Sequence, residues 1–358
     1  MLLYHRLMDG FGYNVFIVLG ICVFYKSVCF FWRMECKRGA WSAMNTLREY
    51  PFAPAVYEHK AGLLGCSPTE VSSSAALLAE AVEREYAVYR SDFLTVGVDL
   101  YNLELEAMGL PLIGRESPDH CAEIGTVPEN FVPEIRIPGS GRYELMLAAA
   151  DLLNGKLGEA ALRIAATGPA TLTAKLLGPE RFIMGLADED AATLALLDRM
   201  TQVTLRWSSV IRSRGYDVIV FDSMAAPPLF SPFFYENWLL PRHRAVMEFL
   251  EHSGQKLREL VIGGDTTPIA GMLRDSGANV LLCDYAASAG EWRRELGDDT
   301  EIHVRRNLNA ELLADRSGWP VLRDNLLRDL ERFSRPVLGT GILSYAFPPS
   351  RLLDFLER

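Results

Sequence analysis

One pattern recurs along most of the chain: a short apolar run, one or two polar residues, then a longer stretch with apolar positions at helical spacing. The short runs fall at residues 54–58, 93–98, 162–166, 218–221, 260–262, 280–283, 302–304 and 336–338. They are too short for helices and rich in strand formers. Wholly apolar runs such as 280–283 describe strands covered on both faces, as in a parallel sheet. Between them, Leu77, Leu78, Ala81, Val82 and Tyr86 keep helical spacing, residues 188–214 form a long helical stretch closed by Gly215, and another helix is centred on 241–252. Residues 260–285 show the unit most plainly. A strand ends at Asp265, Thr267 stands as N-cap before Pro268, a helix runs to about Ser276, Gly277 supplies a left-handed cap, and a second strand ends at Asp284. Eight strands alternating with helices in about 250 residues plus insertions predict an α/β fold, a single (β/α)8 TIM barrel. An open doubly wound sheet is the alternative. It is disfavoured because no Gly-x-Gly-x-x-Gly follows an early strand.

Residues 1–43 break this pattern. Residues 11–32 are apolar and aromatic apart from Asn14, Lys26 and Ser27, and are long enough to span a bilayer. Arg33, Lys37 and Arg38 follow, an arrangement that keeps the body on the cytoplasmic side. The other reading is that translation starts at Met44, which removes the segment and any membrane partner. Either way the expected barrel occupies residues 44–358 and is cytoplasmic. The net charge of −10 argues against a nucleic-acid partner. Six scattered cysteines describe no disulfide scaffold and suit a reducing compartment.

In such barrels the reactive groups sit at the C-terminal ends of the strands. Those ends carry Glu58 with His59, Asp99 followed by Tyr101 and Asn102, Thr167, Asp222 with Ser223, Asp265, Asp284, Arg305-Arg306-Asn307, and Thr340. Each single aspartate is equally well explained as a helix cap or turn residue. Together, five carboxylates around one mouth would repel unless some are protonated, paired or metal-bound. Arg305 and Arg306 are the nearest partners, although one of two consecutive residues can point outward. Glu104 and Glu106, two residues apart, cannot share a helix face. No His-Glu-x-x-His or His-x-Cys motif occurs, so no metal site is expected. A phosphate loop and a Gly-x-Ser-x-Gly elbow are both missing, and hydrolysis through Ser223 is disfavoured.

Several stretches resemble the uroporphyrinogen decarboxylase superfamily. They are Phe221-Asp-Ser-Met-Ala, Phe230-Ser-Pro-Phe-Phe-Tyr, Leu239-Leu-Pro, Thr167-Gly-Pro-Ala-Thr-Leu, Gly264-Asp-Thr-Thr-Pro-Ile and Arg306-Asn-Leu-Asn-Ala. The resemblance spans about residues 51–357. It implies one barrel with its site at the mouth, in a superfamily of haem-pathway decarboxylases and methyltransferases that exchange methyl groups with corrinoids. Asp99 matches the decarboxylases' pyrrole-binding aspartate and Ser223 their serine. Their catalytic tyrosine falls near Lys175 and their late histidine at Thr340, while their arginine-rich loop has no counterpart at residues 58–62. The methyltransferases' zinc ligands fall at Val261 and Gly263 and near Ile342, side chains that cannot bind zinc.

The expectation is therefore one-carbon (methyl) transfer on a small molecule, with no covalently held cofactor and a corrinoid carried by a partner protein. Decarboxylation of a tetrapyrrole or smaller acid, or a non-catalytic tetrapyrrole- or protein-binding barrel, are the alternatives. Asp99, Ser223 and Asp265 are the expected catalytic residues. Glu58, His59, Tyr101, Asn102, Asp222, Asp284, Arg305, Arg306, Asn307 and Thr340 are expected around the substrate.

Overall fold

The computed structural model describes residues 46–113, 120–128, 131, 133, 141–297 and 301–357; the apolar segment 1–43 and part of the proline-rich excursion 111–138 lie outside the described residues. Eight parallel strands follow one another around a nearly closed barrel in the order β1-β8-β7-β6-β5-β4-β3-β2. They are β1 Phe52–Ala55, β2 Phe93–Val96, β3 Ala161–Thr167, β4 Asp217–Phe221, β5 Glu259–Val261, β6 Val280–Cys283, β7 His303–Leu308 and β8 Pro336–Ile342. The principal helices on the outside are α1 Ala75–Tyr89, α2 Arg142–Leu153, α3 Pro169–Leu177, α4 Ala191–Ser213, α5 Leu240–His252, α6 Ala270–Arg274, α7 Ala289–Leu296, α8 Trp319–Leu330 and α9 Pro349–Glu357. Helices pack on strands through buried anchors. Trp207 on α4 is one, and its indole nitrogen also donates to the Ala165 carbonyl at 2.9 Å.

β7 and β8 run further than their apolar cores, because their charged and glycine residues have places inside the barrel wall. Alternation along β7 sends Arg305 inward and Arg306 outward. Arg305 donates to Glu259 on β5 at 2.9 Å, and Glu259 also pairs with Arg163 on β3. These three strands alternate around the barrel, the arrangement by which a barrel layer is filled. Here the layer is charged where branched aliphatics are usual. Burial, and the neighbouring Arg305, bring Arg163 down to about 9, still protonated at neutral pH, and the Phe93 ring lies under its guanidinium at 4.8 Å. Gly339 on β8 faces this layer. A Cβ there would lie 2.2 Å from Asn307 Oδ1 and 3.0 Å from Arg305, so only glycine leaves room for both.

The barrel has a seam. β1 and β2 are the two ends of the strand order. At the lower end of the seam the Asp92 amide donates to the Phe52 carbonyl at 2.9 Å, and the Phe52 amide donates to the Asp92 carboxylate at 2.8 Å. Higher up, the buried Lys60 ammonium supplies a donor to the Thr95 carbonyl of β2 at 2.7 Å and pairs with Glu85 of α1 at 3.1 Å. Lys60 thus does part of what a neighbouring strand's N–H would do.

The unit at 260–285 folds as strand, turn, helix and strand, with Gly277 at φ +85° after the helix. Its turn differs in detail from the expected cap. Thr267 opens a 3-10 turn, Thr267–Ile269, its amide donates to Asp265 Oδ1 at 3.1 Å, and its hydroxyl accepts from the Ser288 amide at 2.9 Å.

Candidate functional site

Two neighbouring chambers open at the C-terminal mouth, and Tyr101 and Lys175 line both. The first is polar, about 140 Å3, and is bounded by Tyr57, Glu58, Asp99, Asn102, Cys121 and Glu123 among others. The second is mostly apolar, about 350 Å3, and is bounded by Tyr101, Thr171, Ala174, Pro179, Ser223 and Met224 among others.

The wall between them is a run of hydrogen bonds. Asp99 follows β2, and its Oδ1 accepts from the Tyr101 and Asn102 amides, both at 3.2 Å. Asn102 Nδ2 donates to both Asp99 oxygens at 3.1 Å, which fixes its amide so that Oδ1 accepts from Lys175 Nζ at 3.1 Å. The Lys175 ammonium lies 6.0 Å from the Tyr101 ring centroid. Tyr101 Oη and Ser223 Oγ are 2.7 Å apart. Asp99 is also paired with buried Arg142 at 2.9 Å, which Glu106 holds from the other side at 2.6 Å. Asp99 is therefore saturated by its own chain: it positions Asn102 and Arg142.

Glu58 begins the segment after β1. Burial, reinforced by the negative charge of Asp99, raises its carboxyl above the usual carboxylate range, although His120 and Lys60 pull the other way. Tyr57 is pushed up to about 12 by burial and is a neutral phenol that contacts Arg305. Burial, then the Asp99 and Glu58 charges, push the Cys121 thiol up to about 12, which rules out a free thiolate nucleophile at neutral pH.

The expected crowd of carboxylates resolves into separate roles. Of the expected residues, Glu58, Asp99, Tyr101, Asn102 and Ser223 come together in the two chambers. Asp222 does not: it is fully buried and turned to the outside of β4, where it caps α3 through the Ala170 and Thr171 amides at 3.2 and 2.6 Å. His243 reaches it at 2.8 Å and is itself held by Tyr235 at 2.9 Å. Gly168 makes this cap possible, since a Cβ there would collide with Asp222 at 2.3 Å. Asp265 is exposed and closes a turn, as its bond to the Thr267 amide shows. Asp284 accepts from the Gly264 amide and from Asn307 Nδ2, both at 2.9 Å, so Asp284 and Asn307 tie the β5 and β7 sides together.

Four further expectations are corrected. His59 is buried between Tyr89, at 2.6 Å, and the Tyr345 carbonyl, at 3.2 Å, and lines neither chamber. Arg305 lies within the barrel, paired with Glu259. Arg306 faces α8, where it pairs with Asp329 at 2.8 Å and donates to the Ala287 carbonyl at 3.0 Å. Thr340 is buried, and its hydroxyl accepts from the Ala55 amide at 3.1 Å where the β1–β8 register shifts. Glu104 and Glu106 do diverge, the first to Thr167 and the second to Arg142.

Sequence reasoning passed over Tyr57, His120, Cys121 and Glu123 as site residues. His120, Cys121 and Glu123 come from the irregular stretch after β2, which carries no periodic signal. Tyr57 did carry one, as the aromatic residue directly before a strand-end carboxylate. Val261, Gly263 and Ile342, at the positions of the related methyltransferases' zinc ligands, have no metal-binding side chain, and no group of three His, Cys, Asp or Glu converges among the described residues. The residues present do not fit that zinc.

An eight-stranded parallel barrel with a divided cleft at its C-terminal mouth is the form in which (β/α)8 barrels carry their sites. Residues 48–336 match the family model for uroporphyrinogen decarboxylase (URO-D), and the chain belongs to that family. A solved structure of a methyltransferase from Methanosarcina mazei is similar to it, with a TM-score of 0.72 and 17% identity, over 88% of this chain and 94% of that one. No curated protein matches the chain in sequence. Among the described residues no helix is long and apolar enough to cross a membrane.

Proposed function

We propose that the protein catalyses one-carbon transfer from or to a small molecule held in the two chambers, with a corrinoid presented at the mouth by a partner protein. The observation that carries this reading is the pair of chambers at the mouth, one apolar and one polar, with the half-buried Glu58 carboxyl on the polar wall and held by burial above the usual carboxylate range. Removing a methyl group from oxygen or nitrogen leaves an anionic group that must take up a proton, and a carboxyl whose proton affinity is raised by burial suits that task. The corrinoid would supply the methyl-accepting or methyl-donating centre. This chain's part is to seat the substrate, to exclude water, and to hold a proton on Glu58. Tyr101 and Ser223 border the reacting space, with Asp99 and Asn102 setting the position of the wall.

The rim supports a partner of that kind. Exposed Ile113, Phe233, Tyr285 and Leu312 lie on segments between the C-terminal end of a strand and its outer helix, after β2, β4, β6 and β7, and exposed Ile342 ends β8. Exposed apolar side chains at this end of the barrel favour contact with a macrocycle or protein surface. Decarboxylation of uroporphyrinogen is disfavoured. Its carboxylates require several available cations, whereas Arg142, Arg305 and Arg306 are all committed to carboxylates of this chain.

The test is methyl transfer to cob(I)alamin from a panel of methoxyarenes, methylated amines and methyl thioethers, followed by the change in corrinoid absorbance. With an active pair, kcat/KM is expected to fall as pH rises through the elevated Glu58 pKa, because the protonated form is the one that works. Glu58→Gln is expected to lower kcat by about 10²–10⁴ and to remove that limb. Failure of every pair to exchange, with release of CO2 from a carboxylate probe, would replace this reading by the decarboxylase one.

A further inference from the structure

We infer that the apolar chamber takes a ring-sized molecule with a single negative charge, its anionic group seated on Lys175 Nζ. The inference rests on the mouth being the reactive site, as proposed above. At roughly 30 Å3 for each water-sized group, the chamber's 350 Å3 holds about a dozen non-hydrogen atoms, two fused rings or one substituted ring. Ala174, Pro179, Met224 and the Tyr101 ring suit an apolar body. Lys175 is the cation on that lining.

The ammonium is held in place yet not neutralised. It carries three donors, and its contacts are Asn102 Oδ1 and the Tyr101 ring, with no carboxylate paired to it among the described residues. Its acceptor is uncharged by construction, because Asp99 fixes the Asn102 amide with the carbonyl oxygen toward Lys175. The other cations around the barrel are spent: Arg142 on Asp99 and Glu106, Arg305 on Glu259, Arg306 on Asp329 and Lys60 on Glu85. One available positive charge beside an apolar chamber selects a monoanion over both a neutral molecule and a polyacid. A cationic ligand would meet Lys175 as a like charge.

The test uses the full chain and three molecules of nearly one shape: 2-naphthoate, 2-naphthamide and 2-naphthylmethylamine, titrated calorimetrically. Naphthoate is expected to bind about tenfold more tightly than the amide, the effect of one charged hydrogen bond, and the amine least well. Lys175→Gln, at an exposed position whose melting temperature serves as the folding control, is expected to reduce naphthoate to the amide's affinity. Lys175→Arg is expected to keep part of the preference. Equal binding of the three, binding of none, tightest binding of the amine, or a preference that survives Lys175→Gln would overturn the inference. A Lys175-dependent preference for naphthoate in a protein that exchanges no methyl group would sustain the ligand class and overturn only the proposed reaction.

Discussion

Replacing Asp99 by asparagine separates two readings of the same residue. As a reacting carboxylate, it could be neutralised at little cost to folding, because asparagine still caps the following turn. The contacts of Arg142 change that expectation. Asp99 is 6% exposed and Arg142 7%, and the pair is 2.9 Å apart. Removing one partner of a buried ion pair costs about 3–5 kcal/mol, since the other charge is left in low dielectric. Arg142 keeps Glu106 at 2.6 Å and Ser72 Oγ at 3.3 Å, and asparagine retains one acceptor oxygen, so the lower part of that range applies. The expected loss is about 3 kcal/mol, or roughly 6–12 °C in melting temperature at 2–4 °C per kcal/mol. Urea unfolding and thermal melting of Asp99→Asn beside Arg142→Met measure it. Because both variants break one pair, the double variant should cost less than the sum of the singles. Any loss of activity should follow displacement of Asn102 and Lys175. An unchanged melting temperature together with abolished turnover would refute the anchoring role and return Asp99 to the chemistry.

Three other outcomes follow from the same kind of accounting. The Thr167 hydroxyl has one proton and two neighbours, the Leu100 carbonyl at 2.9 Å and Glu104 Oε2 at 2.7 Å, and a protonated Glu104 satisfies both contacts. Burial raises the Glu104 carboxyl, so its contribution to stability is complete below the unfolded-state value and lost as pH rises through the folded one. Glu104→Gln, which copies the protonated form, should stay within about 1 kcal/mol of the parent by urea unfolding and hold its stability better at alkaline pH. Glu104→Ala should cost about 1–3 kcal/mol by leaving the Thr167 amide without an acceptor. Lys60→Met should cost about 3–5 kcal/mol, because it strands Glu85 and the Thr95 carbonyl; loss of less than 1 kcal/mol would show that the seam does not depend on it.

The strands were legible because a buried parallel strand has to be apolar, and each of the eight runs overlaps one, although β1 is Phe52–Ala55 where 54–58 was expected. Their ends were less legible. A run of Arg305-Arg306-Asn307 reads as the start of a loop unless Glu259 and Asp329, distant in sequence, are known to receive the two guanidinium groups. Asp222 and Asp99 look alike from sequence, each an aspartate closing an apolar run. What separates them is alternation by one residue, which turns Asp222 outward to α3, and the irregular segment beyond β2, which lets Asp99 face the chamber. Lys175 lies on a helix whose apolar periodicity explains its neighbours and says nothing of Asn102, seventy-three positions earlier.

The seam between β1 and β2 bears directly on how the protein can admit a ligand. Both strands feed the polar chamber, β1 through Tyr57 and Glu58 and β2 through Asp99 and Asn102. Elsewhere around the barrel, parting two strands breaks a ladder of backbone hydrogen bonds; here Asp92 holds the base and one flexible ammonium side chain holds the upper part. The barrel resembles a split ring, pinned at its base by Asp92 and at its lip by Lys60. Among the described residues no strand ladder joins the neighbours along that line, and Glu58 stands beside it, so a ligand entering there would meet that carboxyl first.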